Sequence, residues 1–262
     1  MKLSISNIAW NAENDELLYP MMKELGFTGL EIAPTRILSD HPYDKLEYAK
    51  EWGKNLKKNY NLSISSMQSI WYGRQENIFR SRIEREQLIN YTKKAIDFAM
   101  MLGCSNLVFG CPKNRNMESS NSIEDAIDFF KTIGDYAFIS GTFIGMEANP
   151  TIYNTNFIND TVSALKFIER VDSKGFKLNL DLGTVIQNDE DISEIIEKCG
   201  VINHVHISEP WLKPIKERQL HQNLRDILKK EDYKGYISIE MGKVDDLLLL
   251  KEKMEYVRGV FT

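Results

Sequence analysis

At 262 residues, with 42% hydrophobic and 27% charged positions, the chain is long enough to bury a large core and too apolar for intrinsic disorder. Its 33 basic against 38 acidic residues leave no broad positive footprint for nucleic acid, and three cysteines without a CxxC pair exclude a disulfide framework or a zinc finger. No run approaches the ~18 apolar residues of a membrane span, and the opening MKLSISNIAW lacks a secretory apolar core, so a cytoplasmic location is expected. Short β-branched runs alternate along the chain with longer stretches of helical period. Eight strands are predicted, at 3–9, 28–33, 62–68, 105–110, 143–148, 176–182, 202–208 and 236–241. Each precedes a helical stretch. The clearest helices cover 82–102, with Gly103 at the stop position, and 155–172, which opens after Asn and Thr residues and closes near Gly175; the sixth and seventh units are short. No linker or repeat interrupts the series. Eight βα units predict an α/β fold, a single (β/α)8 barrel domain over 1–262, although a doubly wound sheet shares the same alternation.

A parallel sheet in an α/β protein is covered on both faces, so a polar stripe on one strand parity needs a reason other than solvent. Asn179 and Asp181 alternate with Leu178 and Leu180. His204, His206 and Ser208 alternate with Val205 and Ile207, Ser238 and Glu240 with Ile237 and Ile239, and, more weakly, Glu31 sits between Leu30 and Ile32. If the apolar parity meets the helices, the polar parity faces the barrel axis. Buried carboxylates there must be paired, protonated or bound to a cation. Glu147, Asp181, His206 and Glu240 fall near the C-terminal ends of strands 5 to 8, the face on which barrel enzymes build active sites. Three carboxylates and an imidazole suit Mn²⁺ or Mg²⁺, and Co²⁺ or Zn²⁺ less selectively, with coordination positions left open for a substrate. The competing reading is four independent strand-end residues, each paired with loop Lys or Arg.

At these four residues the sequence resembles the xylose-isomerase-like barrel superfamily, the sugar isomerase and epimerase group that also contains ketose 3-epimerases and type IV apurinic endonucleases. In that group a Glu, an Asp, a His and a Glu after strands 5 to 8 hold one divalent metal. They match Glu147 in GMEANP, Asp181 in LNLDLGT, His206 in HVHISEP and Glu240 in YISIEM. HVHISEP is the most specific piece, because ketose epimerases carry a similar His-x-Ser-Glu run. Three positions depart from the family pattern. Thr184 stands where many members have His, Tyr153 where ketose 3-epimerases have a second Glu, and Leu212, beside Lys213, where they have Arg. With only His41, His204, His206 and His221, the chain lacks the histidines of a trinuclear zinc endonuclease.

The resemblance implies a metal-dependent sugar or sugar phosphate isomerase or epimerase. A cation gripping a carbonyl and its neighbouring hydroxyl acidifies the adjacent C–H, and Glu147 and Glu240 are the expected acid-base pair that moves the proton through a metal-stabilised enediolate. A β-leaving group would turn the same carbanion into a dehydration, so a dehydratase or lyase is the alternative, and a non-catalytic sugar-binding barrel the reading from another class. Substrate contacts are expected from Trp10, Trp71 and Tyr72 as stacking rings, and from Gln68, Asn149 and Asn154 as hydroxyl partners. Arg74, Lys113 and Arg115 form a cationic set for a phosphate or carboxylate, and His221 is placed to reach the pocket from the loop side. Each of these loop residues also has an ordinary structural reading. His204 reads as a packed neighbour of a ligand, His41 as a surface turn, and the cysteines as inert thiols. The expected partner is a small sugar, with neither nucleic acid nor membrane, and homo-oligomerisation is left open.

Overall fold

The computed structural model describes residues 1–118, 121–196 and 199–262. Eight parallel strands close into one ring: β1 (Lys2–Ser6), β2 (Gly29–Ile32), β3 (Ser63–Met67), β4 (Leu107–Phe109), β5 (Ile144–Met146), β6 (Phe176–Asp181), β7 (Ile202–Ile207) and β8 (Tyr236–Ile239), with β8 pairing back onto β1. Every predicted strand is present, and the chain is a single (β/α)8 barrel. The strands are shorter than the apolar runs suggested; Asn7–Ala9, for example, leaves β1 as a 3₁₀ turn. The helices are α1 (Asp15–Glu24), α2 (Pro34–Ile37), α3 (Leu46–Tyr60), α4 (Arg82–Leu102), α5 (Ile123–Ile139), α6 (Thr161–Val171), α7 (Leu182–Asn188), α8 (Ile192–Ile196), α9 (Gln219–Lys230) and α10 (Leu247–Phe261). Among the described residues no helix is long and apolar enough to cross a membrane.

Capping explains where the two clearest helices begin. Ser81 accepts a hydrogen bond from the Glu84 N–H and Gly103 takes φ 65 at the far end, so α4 has the predicted span. In contrast, α6 begins at Thr161, six residues later than predicted, with the Asp160 carboxylate accepting from the Ser163 N–H. The stretch before it cannot be helical, because Asn154 and Ile158 have φ 58 and 59.

The apolar parity, including Leu3, Ile5, Leu178, Leu180, Val205, Ile207, Ile237 and Ile239, is buried in one cluster with helix residues such as Leu88, Phe130 and Leu250. The other parity faces inward. Hydrogen bonds between strands that are not neighbours can only cross the lumen. Ser4 of β1 meets Ser65 of β3 at 2.6 Å, and His206 of β7 meets Glu31 of β2 at 2.9 Å. Asn106, just before β4, reaches Asn179 of β6 at 3.5 Å and Ser66 of β3 at 2.9 Å. The lumen is thus filled by Ser, Asn, His and Glu rather than by the branched aliphatic layers usual in such barrels. Gly145 belongs to this packing, since a Cβ there would stand 2.6 Å from Asn106 Oδ1.

Candidate metal centre and active site

Strand order brings the four strand-end residues to one height. Asp181 and His206 are register partners across β6 and β7, while Glu147 and Glu240 each follow the last residue of their strand. Their main chains continue the ladder: Glu147 N–H donates to Phe109 O at 3.1 Å and Glu240 N–H to Ile207 O at 3.0 Å. One ligand atom from each of Glu147, Asp181, His206 and Glu240 lies within 4.8 Å of all the others. His206 Nδ1 is 2.9 Å from Glu147 Oε1 and 3.2 Å from Glu240 Oε2. Asp181 is held by the Thr184 N–H and hydroxyl, both at 2.8 Å, and by the Ser208 hydroxyl. Thr184, which replaces a family histidine, therefore orients the aspartate that caps its own helix.

The charge balance of this cluster asks for a cation. Glu147 and Glu240 are only 8% exposed, and among the described residues no Lys or Arg pairs with either carboxylate or with Asp181. Burial pushes all three carboxyls above their ordinary pKa, and they repel one another: Glu240 acts on Glu147, Glu147 on Asp181, and Asp181 on Glu240. Burial pushes the His206 imidazolium down, yet Glu240, Glu31 and Glu147 outweigh it and hold that pKa well above the ordinary value. Nδ1 faces two acceptor oxygens, an arrangement stable only with a positive charge between them, whether a proton or a metal ion. The donor set and the buried negative excess both fit a divalent metal.

Behind His206 sits a residue whose role the sequence left unassigned. Glu31 is fully buried, its Oε2 lies 2.9 Å from His206 Nε2, and its Oε1 accepts from Gln68 Nε2 at 3.2 Å. With Nε2–H committed to Glu31, the Nδ1 lone pair turns to the carboxylates, so Glu31 sets the tautomer that a ligand needs. Burial raises the Glu31 carboxyl, but His206 and His204 outweigh it and hold it well below the usual range. His204 Nε2 is 3.1 Å from Glu31 Oε2 but off the line of a hydrogen bond. The signal for Glu31 was its interior parity on β2; what could not be read was that β2 faces β7 across the lumen. Gly110 was also missed, and a Cβ there would stand 2.7 Å from Glu147 Oε2.

A cavity of about 570 Å³ opens above this floor, with Glu147, Asp181 and Glu240 in its lining. Of the expected substrate residues, Gln68, Trp71, Lys113 and Asn149 line it, as do Tyr72 and Arg74. Trp10, Arg115, Asn154 and His221 do not. Trp10 is buried under Arg36 and donates its Nε1–H to Asp15 at 2.7 Å. Arg115 turns inward and donates to Glu147 O at 3.0 Å and Asn149 Oδ1 at 2.8 Å, propping the loop after β5. His221 looks outward from α9 to the Tyr256 hydroxyl of α10 at 2.9 Å. Arg74 pairs with Glu76 and lies over Tyr91, which leaves Lys113 as the cation of the expected anion set that lines the cavity without an ion pair among the described residues. Glu209 of the His-x-Ser-Glu run is gripped by Arg218 at 2.6 and 2.7 Å and is not a fifth ligand. Tyr153 and Leu212 both line the cavity, and the Tyr153 hydroxyl accepts from the Trp211 N–H at 2.8 Å. Burial pushes the Cys104 and Cys111 thiols up to about 12, so neither is a nucleophile; the Cys199 side chain lies outside the described residues.

A family model described as xylose isomerase-like TIM barrel matches residues 21–260, and the chain belongs to that family. No curated protein matches it by sequence. Among solved structures it is similar to the 3-keto-D-glucoside 4-epimerase YcjR from E. coli, at 18% identity and TM-score 0.77, with 99% of each chain covered. It is also similar to D-psicose 3-epimerase from Clostridium cellulolyticum H10, at 15% identity and TM-score 0.79, over 100% of this chain and 99% of that one. The probable 3-DHS dehydratase AsbF from Bacillus anthracis follows at 16% identity and TM-score 0.69, over 97% and 98%. Likeness at such identity establishes the shared fold.

Proposed function

We propose that the chain is a divalent-metal-dependent sugar isomerase or epimerase that works by proton transfer. The observation that carries this reading is the convergence of Glu147, Asp181, His206 and Glu240 on one point at the floor of a cavity large enough for a sugar. These four residues hold the metal, with Mn²⁺ or Mg²⁺ favoured by the three oxygen donors and Co²⁺ or Zn²⁺ compatible. When bound, the cation polarises a substrate carbonyl and stabilises the negative charge that develops as a carbon-bound proton leaves.

The protein groups do the rest. Glu147 offers Oε1 to the cluster, and its Oε2, 3.3 Å from the Asn149 amide, is the oxygen that takes the proton. Glu240, three strands away, returns a proton from the other side. Return to the same carbon inverts it, and return to the neighbouring carbon moves the carbonyl. Gln68, Asn149 and Lys113 meet the sugar hydroxyls. Trp71 can offer only apolar surface, because its indole N–H is already given to Thr92 at 2.9 Å. The similar structures named for D-psicose and a 3-keto-D-glucoside support a sugar carbonyl as the substrate, and the dehydratase neighbour supports elimination as the second reading, since it needs the same proton removed.

Metal analysis of the purified protein and a screen of sugars in D₂O test the reading together. One metal per chain is expected, with solvent deuterium appearing on the reacting carbon of a product equal in mass, apart from the label, to its substrate. Loss of water from the product would move the assignment to a dehydratase, and a protein that neither binds metal nor exchanges any sugar proton would end it.

A further inference from the structure

One hydroxyl in the cavity carries a proton that no protein group takes up. Tyr153 lines the cavity from the loop after β5; its oxygen accepts from the Trp211 N–H at 2.8 Å, and among the described residues its own proton has no acceptor. The ring is fixed too. It meets the Trp211 indole edge-on at 5.4 Å, and the Tyr153 N–H donates to Pro150 O at 3.0 Å. Trp211 and Leu212 take φ 64 and 51, two successive left-handed residues of which neither is glycine. Trp211 is 57% exposed, so close packing does not impose this conformation. What the turn gains is the bond to Tyr153, a Leu212 N–H bond to Glu209 O at 2.9 Å and a Gly242 N–H bond to Leu212 O at 2.7 Å. Strained backbone of this kind ties the loops after β5, β7 and β8 together around one hydroxyl. Burial raises the Tyr153 pKa, the Trp211 N–H offsets part of the rise, and the charges of Asp181, Glu240 and Glu147 add to it. The phenol stays protonated, within electrostatic reach of all three carboxylates.

Resting on the isomerase or epimerase reading above, we propose that Tyr153 is a further catalytic residue, which donates its O–H to the substrate oxygen that gains negative charge as the C–H proton leaves. Other neutral donors in the lining are already spent. The Gln68 amide gives its protons to Ser6 and Glu31, and the Asn149 amide gives its own to Glu147 and Ala148 O, which leaves their oxygens for sugar hydroxyls. The proton leaving carbon goes to one glutamate, its electron pair forms the new C=C bond, and the carbonyl π pair moves onto oxygen. Tyr153 keeps its proton throughout and strengthens its hydrogen bond to that oxygen until the carbonyl re-forms. A donor fixed before the reaction stabilises such charge without reorganising. An ionised glutamate, which ketose 3-epimerases have at this position, can only accept. The phenol brings a donor and no charge, which favours an oxygen turning anionic over one that stays neutral.

Two ligands that grip a metal through a similar pair of oxygens test this by calorimetric titration of the manganese-loaded protein. Glycolohydroxamate is an anion that mimics the enediolate; dihydroxyacetone is a neutral hydroxyketone, read by its displacement of the first. Tyr153→Phe keeps the ring beside Trp211 and removes the donor. It is expected to weaken glycolohydroxamate roughly 10–100-fold, the range for a hydrogen bond to a charged group, and to leave dihydroxyacetone and manganese affinity nearly unchanged. A Tyr153 that only anchors the Trp211 turn would not separate the two ligands in this way. Unchanged hydroxamate affinity would overturn the proposal, as would a loss matched by an equal loss for dihydroxyacetone or for manganese. Failure of manganese to bind the wild type, or of the hydroxamate to bind the loaded protein, would overturn the metal-dependent reading beneath it, a separate result.

Discussion

Glu147 and Glu240 are each asked to be ligand and proton carrier at once, and a substitution can separate the two roles. Glu147→Gln and Glu240→Gln keep an oxygen for the metal and remove the capacity to carry a proton. Turnover should fall roughly 10²–10⁴-fold with the fold intact by circular dichroism; near-normal turnover in both variants would place the proton carriers elsewhere. Glu31 is different, because it touches no substrate and acts through His206. In Glu31→Gln the new amide can donate to Nε2, which frees His206 to carry its proton on Nδ1, where a metal must bind. Metal affinity should weaken roughly 10–100-fold, with kcat recovering at saturating metal. Unaltered metal affinity would show that Glu31 is only lumen packing.

At the scale of elements, α9 and α10 are joined by a histidine that the sequence had aimed at the pocket. Tyr256 Oη accepts from the Arg218 N–H, which leaves its own proton for His221 Nδ1, and His221 Nε2 has no partner among the described residues. Burial, with Arg218 adding to it, lowers the His221 pKa to about 4. The unfolded chain takes up this proton near pH 6.5 and the folded chain near 4, so stability is complete above 6.5 and falls as pH drops through that window. Urea melts should show the wild type losing about 3 kcal/mol more than His221→Gln between pH 7 and pH 4; parallel losses would contradict the buried neutral imidazole. The same element shows what a sequence can carry. Strand parity and strand-end position are local, and they were enough to pick out Glu147, Asp181, His206 and Glu240 and to number the eight strands. The directions of Trp10, Arg115 and His221 were not local. Arg115 finds its partners, Glu147 O and Asn149 Oδ1, on the loop after β5, more than thirty residues along the chain, and His221 finds Tyr256 on the next helix. The Asn and Thr residues near 155 imitated a helix cap while Asp160 supplied the real one.

For the whole molecule, a ligand held by residues from four strands binds only the closed ring. Manganese at about a hundred times its Kd should stabilise the native state by about 2.7 kcal/mol and raise Tm by roughly 5–10 °C, reversed by a chelator; an unchanged Tm would argue against a site spanning β5 to β8. The polar lumen has a different consequence, for how such a barrel can change over generations. Aliphatic layers tolerate exchange of one side chain for another of similar volume, but Asn179 donates to Glu147 at 2.8 Å and sits 3.2 Å from His206 Nδ1, so altering it disturbs two ligands together. Paired substitutions here should be non-additive by ~0.5–3 kcal/mol in a double-mutant cycle of Asn179 with Glu147. Tyr72, Gln75 and Lys113 share no hydrogen bond with that network. New specificities can therefore accumulate one residue at a time around the rim, while the floor changes in concerted steps and stays ancestral in chemistry long after the substrate has been exchanged.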